Sequence, residues 1–346
     1  MHSKRIFITG ATGLLGSHIL RLFLERGYTN ITALRQKGSR MDLVANVDDR
    51  VTWVEGDILN TDSLDAGMQG ADWVVHAAAL ISYEKRAEKR QYEVNVDGTT
   101  NVVNAALHHG VEKLIHISSI SVFTRTGGEQ FISEKTEWEP TPWTSHYGLT
   151  KHLAELEVRR GEAEGLHVAI INPTIIFGSG FWKEGSTSFF YRGARGLKFY
   201  PVGTNGIVDV RDVAHLCILR FERDEGSERM IANGTNSTYI DVFSRIAKLV
   251  GNPAPFIRLK PAMTEIAWRL LWPYEFITGR ESLISKPTAR TTACILHFDN
   301  TRSLSVPGFT YTPLDKTLSD MAVLYKEASK KNFPAIPMAF LPHHLA

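Results

Sequence analysis

The chain has 346 residues, 43% of them hydrophobic and 22% charged, an ordinary globular composition that can bury a substantial core. A formal net charge of +2 provides no basic field for nucleic acid or an anionic membrane. Cys217 and Cys294 stand far apart in apolar settings and read as reduced core thiols of a cytoplasmic protein. The first strand starts too near Met1 to leave room for a signal peptide. No apolar run nears the roughly 20 residues that cross a bilayer. The closest, 262–278, is broken by Glu265, Arg269 and Glu275 and reads as a packed amphipathic helix. Nothing in the chain has metal-ligand spacing.

The chain opens on a short β-branched run, Ile6-Phe7-Ile8-Thr9, of the kind buried on both faces of a parallel sheet. After Gly10, Gly13 and Gly16 a helical pattern begins, with Ile19, Leu20, Phe23 and Leu24 on one face until Gly27. Glycines between a first strand and a first helix permit a tight turn, approach of a pyrophosphate and close helix–sheet packing. Gly10, Thr12, Gly13, Leu14, Leu15 and Gly16 are therefore assigned to a dinucleotide. A second strand, Ile31 to Leu34, is followed by Arg35, Gln36, Lys37, Ser39 and Arg40, with no acid before Asp42. An NAD site usually has a carboxylate about 20 residues past the glycines, whereas a guanidinium pairs with phosphate. Arg35, helped by Ser39 and Arg40, is expected to hold the 2′-phosphate of NADP, with NAD disfavoured.

Val51 to Val54 reads as the third strand, and Asp57 and Ile58 follow it. Asp57 either meets the adenine amine, with Ile58 against the ring, or caps the helix that begins near Asp62. The fourth strand, Trp73 to His76, runs into Ala77, Ala78 and Ala79, small enough for a dinucleotide to lie against their backbone. A helix from about Arg90 to His109 carries Asn95, which either faces the active centre and the cofactor or satisfies backbone groups. His76 and His116 read as core or hydrogen-bonded histidines. The fifth strand, Lys113 to Ile117, delivers Ser118 and Ser119 to the edge that holds the glycine turn, and the polar segment 124–144 reads as a mobile flap.

Tyr147-Gly-Leu-Thr-Lys151 opens a helix reaching about Glu164, where the i, i+4 spacing puts a phenol and an ammonium on one face. His167 to Ile171 is a sixth strand, and Pro173 beyond it belongs to a segment wrapping the nicotinamide end. Phe181, Trp182, Phe189, Phe190, Tyr191 and Tyr200 either line an apolar pocket or pack the core. Val208 to Ala214 is expected to return to the sheet, Asp241 to cap a helix that ends at Gly251, and Ile295 to Phe298 to form a strand. A last helix at about 314–330 precedes a loosely held Pro-rich tail. The fold class is α/β: a Rossmann-type doubly wound parallel sheet with a smaller C-terminal α/β substrate lobe. Residues 1–178, with 205–235 returning, form the dinucleotide domain; 179–204 and 236–330 form the lobe, and 331–346 the tail.

The motifs GATGLLG, EGDI, HAAA, NVDGT, SSISV, YGLTK, NPTIIFG and VDVRDVA fall in the order of the extended short-chain dehydrogenases/reductases, the NAD-dependent epimerase/dehydratase family. The chain resembles that family from residue 4 to about 325, and ALRQKGSRMDL is most similar to its dihydroflavonol-4-reductase-like branch, whose members reduce ketones and aldehydes with NADPH. The resemblance implies a catalytic set of Ser119, Tyr147 and Lys151. In that set Tyr147 gives its proton to the carbonyl oxygen and Ser119 holds the same oxygen. Lys151 and the positive nicotinamide lower the phenol's pKa, and Lys151 also binds the nicotinamide ribose. Phe123 stands where many members have Tyr, and Asn172 where many sugar-modifying members have Arg, which argues against a nucleotide sugar. Family analogy implies a homodimer through the helices that hold NVDGT and YGLTK.

Competing functions differ in what they need. A sugar dehydratase needs an acid beside the catalytic hydroxyl, and Ser118-Ser119-Ile120-Ser121 has no Asp-Glu pair. An epimerase or a 3β-hydroxysteroid-type dehydrogenase keeps the Ser-Tyr-Lys set but usually takes NAD. A non-enzymatic NADP sensor would have lost the tyrosine or the lysine. The expected activity is NADP-dependent interconversion of a small-molecule carbonyl and its alcohol.

Overall fold

The computed structural model describes residues 3–223, 226–260, 263, 266, 269 and 290–345. Apart from Met263, Ile266 and Arg269, the helix expected at 262–278 lies outside the described residues. The strands are β1 (Ile6–Thr9), β2 (Ile31–Arg35), β3 (Thr52–Glu55), β4 (Trp73–His76), β5 (Lys113–Ile117), β6 (Glu129–Ile132), β7 (His167–Pro173), β8 (Ile175–Phe177), β9 (Phe199–Pro201), β10 (Thr204–Asp209), β11 (Glu228–Ala232), β12 (Thr235–Thr238), β13 (Ile257–Leu259) and β14 (Ile295–Phe298). The first eight helices are α1 (Leu14–Glu25), α2 (Thr61–Met68), α3 (Glu88–Tyr92), α4 (Gly98–His108), α5 (His146–Ala163), α6 (Thr187–Ala194), α7 (Val210–Glu222) and α8 (Tyr239–Val250).

Seven strands form one sheet in the order β3-β2-β1-β4-β5-β7-β11, every neighbouring pair parallel. The chain steps outward from β1 to β3, then returns to the other side of β1 for β4. That reversal leaves a crevice at the carboxyl ends of β1 and β4, where ligands of such sheets bind. Successive side chains of a strand face opposite sides. Ile6 and Ile8 accordingly join the core under α1 and α7, while Phe7 joins the core under α2 and α4. Burial on both faces explains why β1 is apolar throughout.

Five further strands form a second sheet in the order β12-β10-β14-β6, with β8 beside β10. This corrects two expectations. Thr204–Asp209 joins the second sheet, so the return to the main sheet is made by α7 and β11. The segment 124–144 is not a structureless flap: Glu129–Ile132 pairs in parallel with Ile295–Phe298 as an edge strand. Two helix caps also differ. Asn60, and not Asp57, caps α2 by accepting from Ser63 N. Thr238, and not Asp241, caps α8, which does end at the left-handed Gly251.

The tail is docked. Met338 is buried and its N–H donates to His18 Nε2 at 3.2 Å, Arg211 reaches the Ala339 carbonyl at 3.0 Å, and Arg26 reaches the His344 carbonyl at 2.9 Å. Leu341 N donates to His344 Nδ1, so the ring proton sits on Nε2 and points at Asp212 Oδ1, 2.8 Å away. No periodic pattern announces these contacts, because they run through main-chain groups.

Candidate active site

Each glycine of the first turn has its own physical reason. Gly10 has φ +73°, and a side chain there would come within 2.6 Å of Ala78 N. A side chain on Gly16 would collide with the Gly10 carbonyl. On Gly13 it would meet Gly10 O only at 3.4 Å, an ordinary contact. Nothing inside the protein demands glycine at that exposed position, so the open space above it is what a pyrophosphate would fill. Gly13 is also the N-cap of α1, whose first turn has no side-chain cap and no acid. Its positive end therefore stays available to an anion. Thr12 and Leu14 are half-buried around the turn; Leu15 is buried in the core and has only its backbone to offer.

A chain of hydrogen bonds ties this turn to the next strand ends. Ala78 N donates to Thr9 Oγ1, which is 2.8 Å from His76 Nδ1; His76 Nε2 is 3.0 Å from Thr99 Oγ1, which donates to Asn95 O. Read donor to acceptor, the chain makes His76 a neutral imidazole with its proton on Nε2. Burial agrees, pulling its pKa down to about 3. Beside it, Ala77, Ala78 and Ala79 line the crevice without large side chains, and Ala79 is exposed.

Arg35 ends β2 at the same edge, and among the described residues its guanidinium has no hydrogen-bond or ion-pair partner. Arg40 is committed elsewhere: it pairs with Glu184 at 3.0 Å and Asp42 at 3.4 Å and lies 3.8 Å over the Phe181 ring. Ser39 is half-buried, its N–H donating to Gln36 O. Asp57 accepts from Gln36 at 2.8 Å, Arg90 at 3.3 Å and Leu59 N at 3.0 Å. Ile58 is buried in the core, directly under Gly98, rather than standing free for an adenine ring.

The other wall is built on β5 and α5. Ser145 caps α5 by accepting from Gly148 N at 3.0 Å. A side chain on Gly148 would come 2.5 Å from Ser121 O, so the glycine of YGLTK is what lets α5 lie against the Ser119–Ser121 segment. That approach brings the buried Tyr147 phenol beside Ser119, near enough for the serine to act on its ionisation. Ser119 Oγ also donates to Ser121 Oγ at 3.1 Å. Behind it, Asn172 Nδ2 donates to Ser119 O at 3.1 Å and to Glu155 Oε1 at 2.7 Å, and Glu155 pairs with Arg229 at 3.0 Å. This buried clamp fixes the Ser119 backbone. Asn172 is legible as a departure from the family pattern, but its partners come from α5 and β11 and have no local signal.

Lys151 lies one turn beyond Tyr147 and is fully buried. Its ammonium donates to Ile117 O at 2.8 Å and to His116 Nε2 at 3.1 Å. Lys151 is accordingly not among the groups that act on the phenol in the protein alone: burial pushes the Tyr147 pKa up, with Tyr83 adding to the rise and Ser119 opposing it. The cause is that β5 supplies the lysine with acceptors on the sheet side. Burial lowers Lys151 to about 8, with Glu155 opposing, and burial together with Lys151 holds His116 well below the usual histidine range.

That shift has a measurable sign. Between pH 8 and 10.5 the unfolded chain keeps the Lys151 proton longer than the folded one, so stability rises with pH across that window. Urea unfolding of the protein minus that of Lys151→Met is predicted to slope upward by as much as about 1.4 kcal/mol per pH unit. A flat difference would place the ammonium in water.

Asn95 is buried with its amide occupied: it accepts from Leu80 N at 2.8 Å and donates to Leu80 O and Thr150 Oγ1. It holds the loop after β4 against α5, the backbone-satisfying alternative, with both amide hydrogens taken. It sits on a π-helical turn, Glu93–Asp97, that interrupts the helix expected from Arg90. Pro173 is buried at the end of β7 on the same edge. Of the aromatics at 179–204, Trp182 and Phe190 are core residues packed on Tyr325, whereas Phe189 faces Tyr239 across a small apolar cleft.

No helix among the described residues is long and apolar enough to cross a membrane. The model of the NAD dependent epimerase/dehydratase family matches residues 6–233. A putative dihydroflavonol 4-reductase of Synechocystis is 27% identical over 327 residues, covering 91% of this chain and 92% of that protein. Cinnamoyl-CoA reductase 1 of Oryza sativa is 27% identical over 345 residues, covering 96% and 92%. The crystal structure of gox2253 superposes with a TM-score of 0.77 at 25% identity, covering 94% of this chain and 98% of that one. With the glycine turn and the Ser119–Tyr147 pair on one edge of a doubly wound sheet, the chain belongs to the NAD-dependent epimerase/dehydratase family and is an NAD(P)-dependent oxidoreductase of the extended short-chain dehydrogenase/reductase type.

Proposed function

We propose that the chain is an NADPH-dependent reductase of ketones or aldehydes, with Tyr147 as proton donor, Ser119 as the second donor to the carbonyl oxygen and Lys151 as the group that binds the nicotinamide ribose. The observation that carries this reading is the placing of the Tyr147 phenol beside Ser119, both buried at the edge where the glycine turn also opens. The chain's residues fit a dinucleotide: the α1 N-terminus is uncapped, the space above Gly13 is open, and Arg35 is a guanidinium without a partner among the described residues. Arg35 favours NADP over NAD because a 2′-phosphate can take its fork of donors.

NADPH bound there supplies hydride to the carbonyl carbon. Negative charge then grows on the carbonyl oxygen, and two hydroxyl donors at that oxygen lower the barrier. Tyr147 transfers its phenolic proton to that oxygen, and Ser119 keeps a hydrogen bond to it. A phenol whose pKa is raised by burial remains protonated at neutral pH, which suits the donor role in the reducing direction. Lys151, lowered to about 8 by burial, gives two of its three donors to Ile117 O and His116 Nε2 and keeps one for the ribose. Asn172 and Glu155 hold Ser119, while Asn95 and Thr150 hold the start of α5, so both donors sit on a fixed frame.

The experiment is loss of NADPH absorbance with a panel of aldehydes and ketones. Carbonyl-dependent oxidation of NADPH supports the reading. Binding of NADPH with no oxidation by any carbonyl would instead fit a sensor.

A further inference from the structure

The segment after β5 carries a guanidinium that the reaction described above does not use. Its backbone is fixed: Arg125 O accepts from Thr141 Oγ1 at 2.6 Å, and the preceding Thr124 Oγ1 donates to Glu137 O at 2.7 Å. The side chain is poorly partnered. Nε is buried with no hydrogen bond, Nη1 reaches Thr291 Oγ1 only at 3.4 Å, and no carboxylate among the described residues pairs with it. A half-buried guanidinium with its Nε sealed from water and no counter-charge is costly, and it cannot shed its proton to escape that cost.

Its surroundings lead to the catalytic phenol. Arg125 interacts electrostatically with Tyr83 and Tyr239. The Tyr83 ring stands edge-on to Tyr147, with centroids 6.2 Å apart. Tyr83 keeps 43% of its surface accessible although the protein around it raises its pKa, as expected of a side chain on the wall of a cleft. Tyr239 OH accepts from Asn205 Nδ2 at 3.2 Å, which leaves its own proton free to donate. One guanidinium and two phenols, one of them packed on Tyr147, thus lie within electrostatic reach of one another, and no acceptor of matching charge is present among the described residues.

We propose that Arg125 recognises an anionic group of the substrate, so that the carbonyl compound reduced at Tyr147 carries a carboxylate or a phosphate. This rests on the carbonyl-reductase reading. A carboxylate or phosphate can take two of the guanidinium donors at once, with Tyr83 and Tyr239 completing its shell. Binding it removes the uncompensated charge, so an anionic substrate gains relative to a neutral one of the same shape.

The test has a binding arm that needs no turnover. Benzoate, phenyl phosphate and benzyl alcohol are titrated into the NADP⁺-loaded protein, Arg125→Gln and Arg125→Lys, with binding read by calorimetry. One of the anions is expected to bind at least about 10-fold tighter than the alcohol, and Arg125→Gln to weaken it by about 10- to 100-fold. The tighter anion identifies the charged group. Arg125→Lys keeps the charge but loses the fork, gives an intermediate loss, and reports on the same site if Arg125→Gln does not fold. The kinetic arm compares 4-formylbenzoate and 4-formylphenyl phosphate with 4-methylbenzaldehyde. Arg125→Gln is expected to lower kcat/KM for the preferred charged aldehyde by a further about 10- to 100-fold than for the neutral one. Anions bound no better than benzyl alcohol, or equally well by Arg125→Gln, would overturn the proposal while leaving reduction of neutral aldehydes standing. Anions bound through Arg125 with no carbonyl ever reduced would keep the anion subsite and sink the reductase reading.

Discussion

Replacing Tyr147 by Phe is expected to lower turnover by about 10²–10⁴-fold, the usual reach of a positioned general acid. The ring survives in this variant and so does its packing against Tyr83. Only the hydroxyl beside Ser119 is lost. Folding should therefore be close to normal, because the ring that packs the site is unchanged. NADPH affinity should change far less than turnover, since the glycine turn and Arg35 lie across the crevice. Steady-state kinetics beside a binding titration separate these quantities. Near-normal turnover in Tyr147→Phe would remove the phenol from the chemistry and leave a nucleotide-binding fold with its proton donor elsewhere.

Arg35→Ala should weaken NADPH binding by about 10- to 100-fold, the equivalent of a charge-assisted hydrogen bond of roughly 1.5–3 kcal/mol. NADH has no phosphate at that position, and its affinity should hardly move. The contrast with Arg40 sharpens the prediction. Arg40 already pairs with Glu184 and Asp42 and stacks on Phe181, so Arg40→Ala should alter NADPH affinity much less. Fluorescence titration of both nucleotides into both variants gives the comparison. Equal losses for NADPH and NADH in Arg35→Ala would mean that the residue supports the site generally and reads no phosphate.

How much of this was legible in the sequence depends on the range of the contacts involved. β1, the glycine turn and α1 are local: a buried strand must be apolar on both faces, and the turn needs residues without side chains at Gly10 and Gly16. The Tyr147–Lys151 spacing is local too. The partner of Lys151 is not, because His116 belongs to a neighbouring strand, and only the register of β4, β5 and β7 brings it under α5. The second sheet draws strands from five distant segments, so no one of them announces it. Glu129–Ile132 is short and half-polar and looks like loop until Ile295–Phe298 lies beside it. Thr238 and Asp241 form a competing pair for one cap. Thr238 takes the backbone N–H, and Asp241 turns to Ser237 and Arg245. The tail departs furthest from the expectation: its hold on His18, Arg26, Arg211 and Asp212 runs through carbonyls, amides and His344.

The central claim is spatial, and a crystal structure of the complex with NADP⁺ tests it most directly. The account predicts the pyrophosphate over Gly13 at the start of α1, the 2′-phosphate on Arg35, and the nicotinamide ring beside the Tyr147 hydroxyl and Ser119. A nicotinamide turned away from that phenol, with Tyr147 and Ser119 touching no part of the bound nucleotide or the space in front of its ring, would contradict it.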